Sequence, residues 1–154
     1  MVLTELLKPE WIICPLKGTT KPAAIAELVD RLAALGVISQ AGPALEAVLA
    51  REKARTTGVG NGLAIPHGKT ASAPSLVMAI GKADPPIDFE SVDAKPVNLV
   101  ILLLSPPDKA GPHIQALARI SRLMCQQKFL DDARSARSPE ELYQVLKTHE
   151  LALP

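Results

Sequence analysis

The sequence predicts an α/β fold: a single domain, residues 1–154, with a mixed central β-sheet flanked by helices. Three observations carry this expectation. Val97–Leu104 is a nearly unbroken apolar run, the pattern of a strand buried on both faces. Segments with apolar residues at helical spacing lie before and after it, bounded by capping residues, proline or glycine. The chain of 154 residues, 47% hydrophobic and 21% charged, suits one globular unit with its own core.

Taken in order, Trp11–Leu16 reads as a short strand whose end is demoted by Pro15. A helix follows, capped by Thr19 or Thr20, with Pro22 in its first turn. Its apolar stripe is Ile25, Leu28, Val29, Leu32 and Leu35, and Gly36 ends it. A second helix runs from about Pro43 to Lys53 with Leu45, Val48 and Leu49 inward. Leu63–Pro66 and Leu76–Ile80 are short strands, and Val97–Leu104 is the central one, broken by Ser105-Pro-Pro-Asp108. A long helix opens at Pro112-His113 and continues through Ile114, Leu117, Ile120, Ser121 and Met124. The last helix, Ser138–Lys147, starts with a capping box of Ser138 and Glu141 and with Pro139 at its first position. The tally is a few strands interleaved with about five helices, without internal repeat, low-complexity tract or interdomain linker.

Composition narrows the function. Seventeen basic and sixteen acidic residues leave a formal net charge of +1, which gives no electrostatic footprint for nucleic acid. The aromatic residues are Trp11, Phe89, Phe129 and Tyr143, too few for a base-stacking surface. Cys14 and Cys125 lie far apart, form no metal spacing, and read as two buried thiols of a reducing cytosol. The N-terminus has no basic region ahead of an apolar stretch, and no apolar run approaches the ~20 residues of a membrane span. A cytoplasmic protein without membrane insertion is the expectation.

The most informative stretch is Gly58-Val-Gly-Asn-Gly-Leu-Ala-Ile-Pro-His67-Gly68-Lys69-Thr70. It approaches two nucleotide motifs and matches neither. A P-loop would need glycine at position 63, where Leu63 stands, and Pro66 removes a backbone donor from a loop that works by donating N–H groups. The dinucleotide fingerprint fails at the same leucine. What remains is a glycine-rich turn, read as a place where backbone N–H groups approach an anion, joined to a histidine framed by proline and glycine. A neutral imidazole is plentiful at pH 7 and is a competent nucleophile, so His67 is read as the acceptor of a phosphoryl group. A loop histidine making local hydrogen bonds is the plainer alternative.

Three further positions join it. His113 follows the strongest strand and opens a helix, where ligands of open α/β sheets collect and where anions are favoured. Position alone leaves a surface histidine equally open. The cleft reading gains from His67 also following a strand: if those strands are parallel neighbours, both imidazoles reach one place. Arg51, at the end of the second helix beside Glu52, reads either as a cation complementing a helix C-terminus or as a fork for phosphate oxygens. Thr56 and Thr57 offer hydroxyl donors or merely shape the turn, Gly58 and Gly68 offer close backbone approach, and Lys69 is read as solvated.

Ala50–Lys69 closely resembles the active-site segment of the IIA proteins of the bacterial phosphotransferase system, mannitol/fructose type, with the nearest likeness to the nitrogen-regulatory members. The resemblance extends through Pro86–Phe89, Asp93–Pro107, the start of the His113 helix and Ser138–Val145. It implies that His67 is phosphorylated on Nε2, that His113 is the second active-site histidine, and that Arg51 is the phosphate-side arginine. It implies a histidine phosphocarrier protein as donor, and regulatory targets or a IIB cysteine as acceptor, with no cofactor or metal. Thr56 stands where serine is frequent, which keeps a hydroxyl. The leading expectation is a phosphocarrier that signals by its phosphorylation state, and the runner-up is a sugar-transport IIA component. A metal site on His67 and His113 ranks below both, since no carboxylate or thiolate lies at a recognisable ligand spacing.

Overall fold

The computed structural model describes residues 1–154. The helices are α1 (Lys21–Ala34), α2 (Ala41–Ala54), α3 (Ala110–Met124), α4 (Gln127–Ser135) and α5 (Pro139–Leu151). The strands are β1 (Ile12–Ile13), β2 (Gly58–Gly60), β3 (Leu63–Ala64), β4 (His67–Lys69), β5 (Val77–Ile87) and β6 (Val97–Ser105). Six strands make one sheet in the order β1-β5-β6-β3-β2, with β4 also paired to β6. β5 runs antiparallel to β6, whereas β3 and β4 run parallel to it, so the sheet is mixed as expected.

β6 organises the molecule. Val100, Leu102 and Leu104 face one core with α1 and α2, while Leu99, Ile101 and Leu103 face a second core with α3, α4 and α5. A strand covered on both faces needs apolar residues on both, hence the unbroken run from Leu99 to Leu104. The alternation continues to Ser105, which therefore points to the α3 side, with no exposure to solvent.

β3 and β4 are one strand interrupted. Leu63 and Ala64 pair with Leu99 and Val100, and His67, Gly68 and Lys69 pair with Leu103, Leu104 and Ser105, so the register carries across the break unshifted. Pro66 has no N–H to donate, yet its carbonyl still accepts from the Leu103 N–H at 3.0 Å. The histidine thus begins a strand segment rather than following one. Its partner Leu103 places it on the α3 side, and Gly68 faces α2. A Cβ at Gly68 would lie 3.1 Å from the Val48 nitrogen, so glycine there lets α2 pack directly on the sheet.

The helices depart from expectation in detail. Thr20 caps α1, its side chain accepting from the Ala23 N–H, and Ala24, Ile25, Leu28, Val29 and Leu32 are buried, but Leu35 is exposed. α2 begins two residues before Pro43, and its buried positions are Ala44, Val48 and Glu52; Leu45 and Leu49 are only partly buried against the core. α3 begins at Ala110 rather than Pro112. Ser138 accepts from the Glu141 N–H at 3.1 Å, and the Glu141 carboxylate reaches back to the Arg137 N–H at 2.8 Å, giving α5 its predicted start. α5 continues to Leu151, where the buried Glu150 takes the N–H groups of Leu3 and Thr4 and the Arg119 guanidinium. The cysteines are not buried as expected: Cys14 is half-buried and Cys125 exposed, both free. No helix is long and apolar enough to cross a membrane.

Candidate functional site

The glycine-rich stretch is a hairpin. Asn61 and Gly62 both have positive φ, 58° and 78°, and connect β2 to β3 as the two-residue turn that an Asn-Gly pair favours. The Asn61 N–H donates to the Asp93 carboxylate at 3.1 Å, and its carbonyl accepts from Arg134 at 3.2 Å. A turn whose N–H group is held by a carboxylate is not an anion cradle, so the glycine reading is corrected: these residues bend the chain.

The supporting positions are corrected in the same way. The Thr56 hydroxyl donates to the Phe89 carbonyl at 2.7 Å and accepts from the Gly58 N–H at 3.1 Å. The Thr57 hydroxyl and N–H both donate to the buried Glu52 carboxylate, which also pairs with Lys21 at 3.2 Å. Each hydroxyl has one proton and each is engaged inside the protein, so Thr56 and Thr57 shape the loop. Gly58 presses on Ser91, whose Oγ would lie 2.2 Å from a Cβ there, and Gly68 accommodates α2. Neither glycine offers an N–H to a ligand: the Gly58 donor is taken by Thr56, and Gly68 sits in the β4–β6 ladder.

The histidines are brought together. The His67 and His113 ring centroids lie 5.3 Å apart with planes at 62°, edge to face. The topology achieves this because β4 and β6 are parallel neighbours and α3 turns back from the end of β6. His67 is half-buried and lines a cleft of about 320 Å³ with Arg51, Thr56, Val59, Ile65, Val92 and Leu117 among its walls. His113 is buried, in the first turn of α3, which excludes the surface-histidine reading.

Hydrogen bonding fixes the protons. His67 Nδ1 lies 2.7 Å from the Ile65 carbonyl, which can only accept, so Nδ1 carries the proton and Nε2 keeps a lone pair. Burial holds the His67 pKa below its ordinary value; the Ile65 carbonyl opposes this, the nearby Arg51 charge adds to it, and Glu52 opposes it. His113 is pushed down to about 4, by burial first and then by His67 and Lys69. Both rings are therefore neutral near pH 7. One Arg51 N–H donates to the Arg55 carbonyl at 2.8 Å beyond the end of α2, and the residue lines the same cleft as His67. No group of three or more His, Cys, Asp or Glu side chains is arranged to hold a metal, so the two histidines find no third donor.

Two partners of the histidines escape the sequence reading, the Ile65 carbonyl and Ser105, whose Oγ lies 2.7 Å from His113 Nδ1. A backbone carbonyl leaves no trace in a sequence. Ser105 does leave one, as the polar end of an apolar strand.

Keeping His113 neutral makes stability depend on pH. The unfolded chain binds this proton near pH 6.5 and the fold only near 4, so the contribution is complete above 6.5 and is lost as pH falls through that window. The full shift is worth about 3 kcal/mol, and relaxation of the surroundings around a charged ring reduces this to roughly 1–2 kcal/mol. Denaturant titrations at pH 7 and 4.5 should show wild type losing about that much more stability than His113→Gln.

The comparisons with known proteins agree on one relationship. Residues 5–149 match the family model described as "Phosphoenolpyruvate-dependent sugar phosphotransferase system, EIIA 2". A nitrogen regulatory protein of Bradyrhizobium diazoefficiens is 41% identical over 146 residues, 95% of each chain. The fructose-specific EIIABC component of Bacillus subtilis is 31% identical over 150 residues, 97% of this chain but 24% of that protein. The crystal structure of nitrogen regulatory protein IIA-Ntr from Neisseria meningitidis superposes with a TM-score of 0.83 at 28% identity, covering 93% of this chain and 97% of that one.

Proposed function

The chain belongs to the EIIA 2 family of the phosphoenolpyruvate-dependent sugar phosphotransferase system, and from that premise we propose that it is a phosphohistidine carrier acting as a nitrogen-regulatory-type signalling protein. The observation that carries the proposal is the bond from His67 Nδ1 to the Ile65 carbonyl, which leaves Nε2 as the free lone pair. In the transfer, that pair forms the bond to phosphorus while the P–N bond of the donor's phosphohistidine breaks and returns its electrons to the donor imidazole. The His67 ring gains positive charge as the bond forms, and the Ile65 carbonyl stabilises it through the retained Nδ1 proton. No base is needed, since the nucleophile is already neutral.

The donor in this reading is a histidine phosphocarrier protein. Val59 and Val92 are exposed apolar residues lining the His67 cleft, and Ile114 is exposed next to His113 in the chain. Such a rim suits a small, weak interface, below about 1,200 Å², from which partners leave quickly. The signalling role is favoured over sugar transport by the nitrogen regulatory relative, which matches along nearly its whole length at the higher identity. The fructose-specific relative supports the second reading, in which a IIB cysteine takes the phosphoryl group.

Incubation with phosphoenolpyruvate and the general donor proteins tests the proposal. Intact mass should rise by one phosphoryl group that acid removes, and a pull-down should recover at least one partner that distinguishes the phosphorylated from the free form. No mass gain overturns the carrier reading. Partners indifferent to phosphorylation, with a IIB protein as sole acceptor, replace signalling by transport.

A further inference from the structure

Ser105 lies at the end of β6, fully buried, and is held on both sides of its peptide. It pairs with Lys69 in the β4–β6 ladder, and its carbonyl accepts from the Thr70 N–H at 2.8 Å. Pro106 and Pro107 follow, and a residue before proline is kept extended. The side chain therefore has a fixed origin, and its Oγ lies 2.7 Å from His113 Nδ1.

Either atom can donate in this pair, and burial decides which. The Ser105 hydroxyl makes this one hydrogen bond and no other. If His113 Nδ1 donated, the hydroxyl proton would be buried without an acceptor, the costly arrangement. If the hydroxyl donates, only a spare oxygen lone pair goes unused. His113 is neutral at pH 7, so its ring carries a single proton. With Nδ1 accepting, that proton sits on Nε2, on the side of the ring away from Ser105.

We propose that Ser105 is a positioning residue for phosphoryl transfer: its buried hydroxyl fixes His113 as the Nε2–H tautomer, so that this ring presents a donor, and not a lone pair, to the phosphoryl group on its neighbour His67. The two imidazoles are then set in opposite senses. The Ile65 carbonyl leaves His67 Nε2 bare for attack, and the Ser105 hydroxyl leaves His113 Nε2 protonated to meet an anionic oxygen. The wrong tautomer would aim a lone pair at that oxygen. The role in transfer rests on the carrier reading above, whereas the tautomer itself does not.

Long-range ¹H–¹⁵N correlation spectra of the unphosphorylated, ¹⁵N-labelled protein at pH 7 read the tautomer directly, with His113→Gln identifying the signals. Wild type should show unprotonated Nδ1 and protonated Nε2 in His113; the reverse pattern overturns the proposal without any variant being made. Ser105→Ala should give averaged signals of both tautomers and ~10-fold slower transfer to His67, and Ser105→Thr should restore both. Unchanged transfer in Ser105→Ala overturns the positioning role, whatever its spectrum. If wild type takes no phosphoryl group, the carrier reading fails and the role in transfer falls with it, while the spectrum still decides the tautomer.

Discussion

His67→Ala should take up no phosphoryl group under conditions in which wild type takes one. The expectation is total because the substitution removes the atom that forms the bond. No other imidazole offers the same combination. His113 is buried with Nδ1 engaged, and His149 is held by Asp132 at 2.8 Å. The Thr56 and Thr57 hydroxyls are committed to Phe89 and Glu52. Radiolabel transfer or intact mass measures the outcome, and far-ultraviolet circular dichroism establishes that the variant folds. His67 begins a strand at a half-buried position, so its truncation opens little of the core. Label on His113 or a threonine in the variant would displace His67 from the proposed role.

Arg51→Ala and His113→Ala should each slow transfer ~10- to 100-fold without abolishing it. A hydrogen bond to a charged group is worth about 1.5–3 kcal/mol, and each 1.36 kcal/mol at the transition state is a factor of ten in rate. A phosphoryl group passing between two imidazoles spreads negative charge over its oxygens, and a charged or preoriented donor is most useful at that moment. Arg51 suits this because it lines the same cleft as His67 and its bond to the Arg55 carbonyl holds one arm of the fork in place. Arg51→Lys should recover only part of the rate, since an ammonium lacks the planar fork. Single-turnover transfer from phosphorylated donor protein separates this loss from weaker docking. Wild-type rates in the folded variants would show that the two residues merely surround the nucleophile.

Much of the fold is legible because the signals are local and strong. An apolar run without alternation means a strand covered on both faces, and β6 is that strand. α1 and α5 announce themselves through Thr20, Pro22, Ser138 and Glu141. α4 does not, because it is nine residues long, lacks a side-chain cap and buries only Phe129, Leu130 and Ala133. α2 misleads because its buried line is Ala44, Val48 and Glu52: alanine gives no strong periodic signal, and a glutamate satisfied by Lys21 and Thr57 looks like a surface residue.

The candidate site is legible where residue chemistry is distinctive and opaque where partners come from afar. Histidine framed by proline and glycine stands out. Its closeness to His113 follows once β4 and β6 are parallel neighbours. The glycines mislead because two readings compete: Asn61-Gly62 is a hairpin signal by backbone conformation, and a glycine-rich loop beside a histidine also suggests anion binding. Asp93, thirty-two residues further on, takes the Asn61 N–H and settles the competition. Burial of His113 likewise depends on how closely α3 lies on the sheet, which no local pattern encodes.

The unshifted register across Pro66 has a kinetic consequence. His67 stands in register with Leu103 of the most deeply enclosed strand, between the Pro66 carbonyl that accepts from Leu103 and the Thr70 N–H that donates to Ser105. Its backbone therefore has no independent hinge, and these flanking amides should resist hydrogen exchange up to large-scale opening. For a carrier, this divides the labour of a turnover. The histidine cannot swing from donor to acceptor, and each partner must travel to it, align its own reactive group and depart before the next arrives. Typical protein association proceeds at about 10⁵–10⁷ M⁻¹s⁻¹, so throughput is governed by partner concentration and by how briefly each complex lives. Tighter binding of either partner would then slow the relay, and traffic through the protein should scale with encounter frequency, not with internal motion.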